Sequence, residues 1–162
     1  MRKVQFAALT LSGLLAGNEL GTLIGLHPAL KTLPLKQEIP SEQALTGHLM
    51  KIMPVYTSST LIAVVAAAVD RAGRRGFGLT LGAAAATAAM LAVTGVGNIP
   101  LNKRTMAYPI DGDEAGWAAI RRRWERLHGV RVLFDMAAFG ALAAAALTED
   151  RGRRRGYGPA LY

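Results

Sequence analysis

The chain has 162 residues, enough for one domain, with no cysteine and a formal net charge of +8. The missing cysteine excludes disulfides, thiolate metal sites and cysteine nucleophiles. Apolar residues make up 51% and charged residues 19%, and the charges avoid four long segments. That pattern excludes a soluble bundle, in which polar residues recur every second or third position.

From Val4 to Leu26 the one charge is Glu19. Pro54 to Val69 and Phe77 to Leu101 carry none, and Val132 to Thr148 carries only Asp135. Apolar segments of this length between charge-rich connectors predict transmembrane helices. The expected fold is all-α: an integral membrane four-helix bundle, up-down-up-down, in a single domain. The spans are placed at about 4–26, 52–69, 77–99 and 130–148, with a basic tail at 149–162.

The first span follows "MRK" but is too long for a signal-peptide core, and Glu19 interrupts any cleavage site. It reads as a retained helix ending near His27-Pro28. A loop follows, with Pro34 and Pro40 as breakers, and within it "SEQALTGHLMKIM" looks helical. The second span passes Pro54, where a kink is expected. "DRAGRRG" is a tight turn. The third span starts at Phe77, carries small residues that let another helix approach, and ends at "NIPLN", Asn98 to Asn102. The turn "YPIDGDEAG" leads to a long fourth helix starting near Asp113 or Glu114, whose N-terminal part extends beyond the span.

Basic residues explain the net charge through the membrane, without nucleic acid as a partner. Arg2, Lys3, Arg71, Arg74, Arg75 and the tail arginines lie in short connectors touching the spans, whereas Lys and Arg of the other loops are diluted by acids. This places both termini in the cytoplasm, with the protein in the plasma membrane. The "RGRRRGYG" tail reads as a juxtamembrane anchor.

Antiparallel connectivity brings His27, His48 and His128 to one membrane face, together with Asn98 and Asn102. On the fourth helix Trp117, Arg121, Trp124, His128, Arg131 and Asp135 are spaced four and three apart, a single stripe. Asp135 lies about 10 Å beyond His128, and Glu19 about 12 Å beyond His27, so two carboxyls reach similar depth. Carboxyls in a membrane cost several kcal/mol unless paired or wet, and so mark a site. Thr80, Thr87, Thr94 and Asn98 form a polar line on the third span, in which the threonines read as packing residues. Trp117 and Trp124 fit an interfacial belt as well as a site. Arg121 and Arg131 also fit neutralisation of nearby acids, and Glu19 and Asp135 also fit an ion pair with Arg131.

"NIPLN" closing the third span, followed by "W…RRRWERLHGVR" opening the fourth, resembles the anthrone-oxygenase-like family of small four-helix membrane proteins. The resemblance covers the order of all four spans, and its specific part lies within residues 98–131. Members in fungal polyketide pathways oxidise anthrones to anthraquinones with dioxygen and no established cofactor. Asn98, Pro100, Asn102, Trp124, His128 and Arg131 carry the resemblance.

Stripe and resemblance together imply a membrane-embedded oxidoreductase acting on an apolar aromatic or polyketide-like molecule. His128 is the expected base, since imidazole ionises near neutral pH. Arg131, Asn98 and Asn102 are expected to stabilise an enolate oxygen, and Asp135 to orient or charge the His128–Arg131 pair. Trp124 is expected to stack on the substrate, with Trp117, Arg121 and Glu19 completing the binding surface. No cofactor is expected; a variant of this reading uses His27, His48 and His128 as ligands for copper or iron. The expected partners are the bilayer and the substrate, and a homo-oligomer is compatible with the pattern. The rival is a non-enzyme, a small transporter, lipid-binding protein or accessory subunit, whose acids serve proton coupling or helix association.

Overall fold

The computed structural model describes residues 2–156, with side chains to residue 148. The anchor read in the basic tail falls outside those described side chains.

Four helices follow one another: α1 (Lys3–Leu30), α2 (Leu35–Asp70), α3 (Phe77–Met106) and α4 (Glu114–Gly156). Each is long and apolar enough to cross a membrane. They run up-down-up-down, and α1 packs on α2 and α4 while α3 packs on the same two, so α1 and α3 stand diagonally. Large apolar side chains such as Phe6, Ile24, Val55, Ile62, Val96 and Leu133 face outward, as lipid-facing residues do. Inside, Ala8, Val64, Ala67, Ala83, Ala138 and Leu142 form the apolar core. Four of these are alanines, which let the backbones close on one another. Thr80, Thr87 and Thr94 donate to the carbonyls of Gly76, Ala83 and Met90, one turn back; this is the packing role read from their spacing.

Two differences from the sequence reading concern prolines. The expected loop before the second span is almost entirely helix, because α2 begins at Leu35 and continues through both Pro40 and Pro54. Pro40 removes the hydrogen bond to the Lys36 carbonyl, but Lys36 is exposed near the helix start, where water replaces the donor. The gain is a buried inner face of Glu38, Ile39, Glu42 and Thr46. Similarly, α1 does not end at His27-Pro28, nor α3 at "NIPLN". Each contains one π-turn, Thr22–Leu26 and Thr94–Asn98, and then resumes as α-helix. His27 N–H donates to Thr22 O, and Ile99 N–H to Thr94 O, five residues back rather than four. The next residue in each case is a proline, Pro28 or Pro100. Widening the turn ahead of the ring relieves its clash with the preceding carbonyl. Both π-turns lie in the same local pattern, Thr-x-x-Gly-x-x-Pro. Gly97 also lets α3 close on α4, since a Cβ there would lie 2.7 Å from Leu127 Cδ1.

The start of α4 is where the sequence placed it. Asp113 Oδ1 accepts from the Gly116 N–H at 2.7 Å, an N-cap, and the Tyr108 hydroxyl donates to the Asp113 carbonyl at 2.6 Å. The Gly116 N–H holds the Asp113 carboxyl below its ordinary range.

Candidate functional site

The stripe on α4 is intact. Trp117, Arg121, Trp124, His128, Arg131 and Asp135 are all buried, none more than 8% exposed. Arg122, Arg123 and Arg126, which the same periodicity aims elsewhere, are exposed. A regular helix carries this register without interruption, so the spacing alone settles which side chains turn inward.

Two polar tiers branch from the stripe. In the deeper tier, Arg131 Nη2 donates to Glu19 Oε1 at 2.7 Å. His128 Nδ1 lies 3.2 Å from Glu19 Oε2, and His128 Nε2 lies 3.1 Å from the Thr22 hydroxyl. With the ring hydrogen on Nδ1, toward Glu19, the Thr22 hydroxyl donates to Nε2; with it on Nε2, that hydroxyl accepts from the ring and donates to the Glu19 carbonyl 2.9 Å away. Glu19 therefore occupies the position beside His128 and Arg131 that the sequence reading gave to Asp135. The reason is distance along α4: Asp135 lies seven residues from His128, about 10 Å, which an imidazole cannot span. Asp135 is buried, and its Oδ2 has no hydrogen-bond partner.

In the tier nearer the helix ends, Glu42 Oε1 accepts from Arg121 Nη2 at 2.8 Å and faces His27 Nδ1 at 2.9 Å. The Trp117 indole N–H donates to Glu38 Oε1 at 2.9 Å. These contacts join α1, α2 and α4. Trp124 packs against both tiers, whose imidazoles also meet edge-on with centroids 5.7 Å apart. Its ring meets His27 edge-on with centroids 4.6 Å apart, lies 4.7 Å from the His128 centroid, and has the Arg121 guanidinium 4.7 Å from its own. Its N–H donates to Asn102 Oδ1 at 2.6 Å. Glu38, Glu42 and Thr22 were not among the residues expected at the site. Glu38, Glu42 and Thr46 recur every fourth position, but the segment read as helical began at Ser41, after Glu38, which hid the repeat.

The tiers border a cavity of about 330 Å³ lined by all four helices. Glu19, Thr22, His27, Asn102, Trp124, His128 and Arg131 form its polar part. Leu45, Leu49, Met50, Met53, Leu91 and Ile99 form its apolar part. Met50 and Ile99 are at once lining residues and about two-fifths exposed, at 39% and 41%. Asn18 on α1 and Ser58 on α2 are lining residues that are exposed as well, so the cavity is open to the surroundings of the bundle.

Not every expected residue reaches it. Trp117 and Arg121 lie behind the wall, in the tier with Glu38 and Glu42. Asn98 is fully buried and its amide lies 3.4 Å from the Trp124 carbonyl, away from the cavity, whereas Asn102 lines it. The π-turn accounts for this difference. In a regular helix Asn102 would be rotated about 80° from Thr94; one extra residue in the turn brings it to about 20°. The same extra residue aligns Glu19 with His27 on α1. His48 is exposed on the outer side of α2, two positions from the inward Thr46. The set His27, His48 and His128 is therefore not brought together, and among the described residues no group of three or more His, Cys, Asp or Glu is placed to hold a metal ion.

Comparison with curated proteins and with solved structures finds no match. The family model described as anthrone oxygenase matches residues 45–148, which take in the second half of α2, all of α3 and the inward stripe of α4. With well over half its length so matched, the chain belongs to the anthrone oxygenase family.

Proposed function

We propose that the protein is a membrane-embedded oxygenase that oxidises an apolar aromatic carbon acid of the anthrone type with dioxygen. The observation that carries this reading is an imidazole, His128, backed by a buried carboxylate and guanidinium at one end of a mostly apolar cavity. Such a cavity holds a fused aromatic body and leaves one polar edge for chemistry.

His128 Nε2 takes a proton from the methylene between the rings, after the substrate displaces the Thr22 hydroxyl. The charge moves to the ring ketone as an enolate. Asn102 spends its carbonyl on Trp124 and keeps its amide hydrogens for that oxygen, and Arg131 Nε has no protein partner. The enolate passes one electron to dioxygen, and the resulting pair combines to form a C–O bond. The peroxide oxygen takes the proton from His128, giving a hydroperoxide. Loss of the second C–H proton with cleavage of the O–O bond gives the new ketone and one water. All electrons come from the substrate, so the steps as written call on no bound cofactor. Glu19 holds the His128 ring in place; Trp124, packed by two imidazoles and a guanidinium, serves as a wall.

Basic residues beside the spans, Arg2, Lys3, Arg71, Arg74 and Arg75, favour both termini on the cytoplasmic side of the plasma membrane. A protease-accessible tag at either terminus tests this. The cavity would then sit nearer the outer face, filled from the bilayer.

Oxygen uptake by membranes carrying the protein, supplied with a panel of anthrones and related phenols, tests the reaction. His128→Ala should cut uptake by at least about a hundredfold at equal protein level. Absence of uptake above empty membranes moves the weight to a carrier or accessory role, in which Asp135, buried with an unpartnered oxygen, would be the proton-coupling group.

A further inference from the structure

The cavity wall holds a second imidazole, His27, backed by a carboxylate behind the wall, and the steps above leave this pair idle. His27 Nδ1 faces Glu42 Oε1 at 2.9 Å, and the same oxygen accepts from Arg121 Nη2 at 2.8 Å. Two donors converging on one carboxylate oxygen account for the 3.1 Å between Arg121 Nη2 and His27 Nδ1. The ring hydrogen therefore sits on Nδ1, and Nε2 carries the lone pair. His27 is only 4% exposed, lines the cavity, and its Nε2 has no hydrogen-bond partner. A buried ring nitrogen left open toward a ligand cavity is costly unless something binds there. His27 thus repeats the arrangement of His128: an imidazole oriented through Nδ1 by a buried glutamate that an α4 arginine neutralises. The two rings are 5.7 Å apart, packed edge-on against each other as well as against Trp124.

Two C–H protons must leave the same carbon in the oxidation, at different stages. Resting on that reading, we infer that His27 is the second base. After His128 has taken the first proton and returned it to the peroxide oxygen, His27 Nε2 removes the remaining C–H proton from the hydroperoxide. The C–H electron pair becomes the second bond of the new carbonyl, the O–O bond breaks, and the departing hydroxide takes the proton from His27 to leave as water. Glu42 holds the ring and balances its transient charge, with Arg121 setting the carboxylate's position. His27 and His128 are catalytic residues in this scheme; Glu42 and Arg121 are positioning residues.

The two proton removals can be measured separately. Anaerobic exchange of the methylene hydrogens with deuterated solvent reports His128. Conversion of a supplied anthrone-type hydroperoxide to the ketone reports His27. In His27→Gln, whose amide nitrogen replaces Nε2 without its basicity, the hydroperoxide should accumulate under oxygen, its breakdown slowed about a hundredfold, while exchange continues. In His128→Ala exchange should stop, yet supplied hydroperoxide should still be converted. Glu42→Gln should slow breakdown less than His27→Gln does. Ketone formation without hydroperoxide in folded His27→Gln overturns the assignment. If that variant does not fold, failure of His128→Ala to convert supplied hydroperoxide overturns it equally. Absence of exchange and uptake in the wild-type protein instead removes the oxygenase reading itself.

Discussion

Both ends of the bundle bury an arginine, and they satisfy it differently. At the end carrying the α2–α3 turn, Arg71 is 2% exposed and donates to Gln5 Oε1 and to the carbonyls of Ala145 and Arg75. These acceptors belong to α1, α4 and the turn, so one side chain ties three parts of the fold together. At the other end Arg131 and Arg121 are paired with Glu19 and Glu42, yet Arg131 Nε and two Arg121 nitrogens have no partner. Among the described residues, every buried side-chain nitrogen or oxygen lacking a hydrogen bond lies toward this second end or on the polar column leading from it. Unmet hydrogen-bonding capacity is expensive in a stable core and rare without a reason. The first end therefore acts as a clasp, and unmet polar groups mark the second as the candidate site where burial and charge do not tell the two apart.

The largest test of this division is at the site. Glu19→Gln should lower oxygen uptake about a hundredfold and cost about 3 kcal/mol of stability by leaving Arg131 buried without its counter-charge. Adding Arg131→Met should restore most of the stability and none of the uptake. Detergent unfolding and respirometry on the same preparations check both. At the clasp, Arg71→Met should cost about 2 kcal/mol while turnover per folded molecule holds. If turnover falls as well, the two ends are coupled and the division fails.

Gly76 sharpens the clasp. Its φ is +80°, and a Cβ there would lie 2.7 Å from Arg71 Nη1 and 2.8 Å from Thr148 Oγ1. Gly76→Ala should cost about 1–2 kcal/mol, read as a lower unfolding midpoint with uptake intact. The smallest effect belongs to Asp113, which caps α4 outside the membrane span. Its folded carboxyl is held below its ordinary value of 3.8, so the cap contributes fully above that pH and fades as pH falls through the lowered value. Asp113→Asn keeps a capping oxygen and loses the titration. The difference in unfolding midpoint between the two proteins should therefore narrow on acidification from about pH 5 to pH 3.

The four helices and the α4 stripe were legible because each is a regular repeat: apolar length for the spans, a 3.6-residue period for the stripe. Arg122 and Arg123 next to buried Arg121 show how sharply that period sorts identical side chains. The first turns of α2 were not legible, since Pro40 among several charges reads as a loop, and Glu38 was lost with it; Glu42 lay in the segment read as helical, but nothing in that helix alone shows which face meets His27 and Arg121. The Glu19–His128 contact depends on how α1 is rotated against α4, which a spacing within one helix does not encode. Asn98 and Asn102 were both assigned to the site from "NIPLN" read as the broken end of a span; the chain instead continues as helix past a π-turn, and only Asn102 lines the cavity.

The π-turns carry a consequence for heredity. Each is one residue more than its helix needs, the length of a single inserted codon. Deleting Gly25 or Gly97 removes that surplus while leaving loops and apolar composition as they are, yet it rotates everything beyond the deletion by about a quarter turn. A bundle of plain helices and a bundle with an aligned polar column are therefore neighbours in sequence, separated by two small insertions rather than by many substitutions.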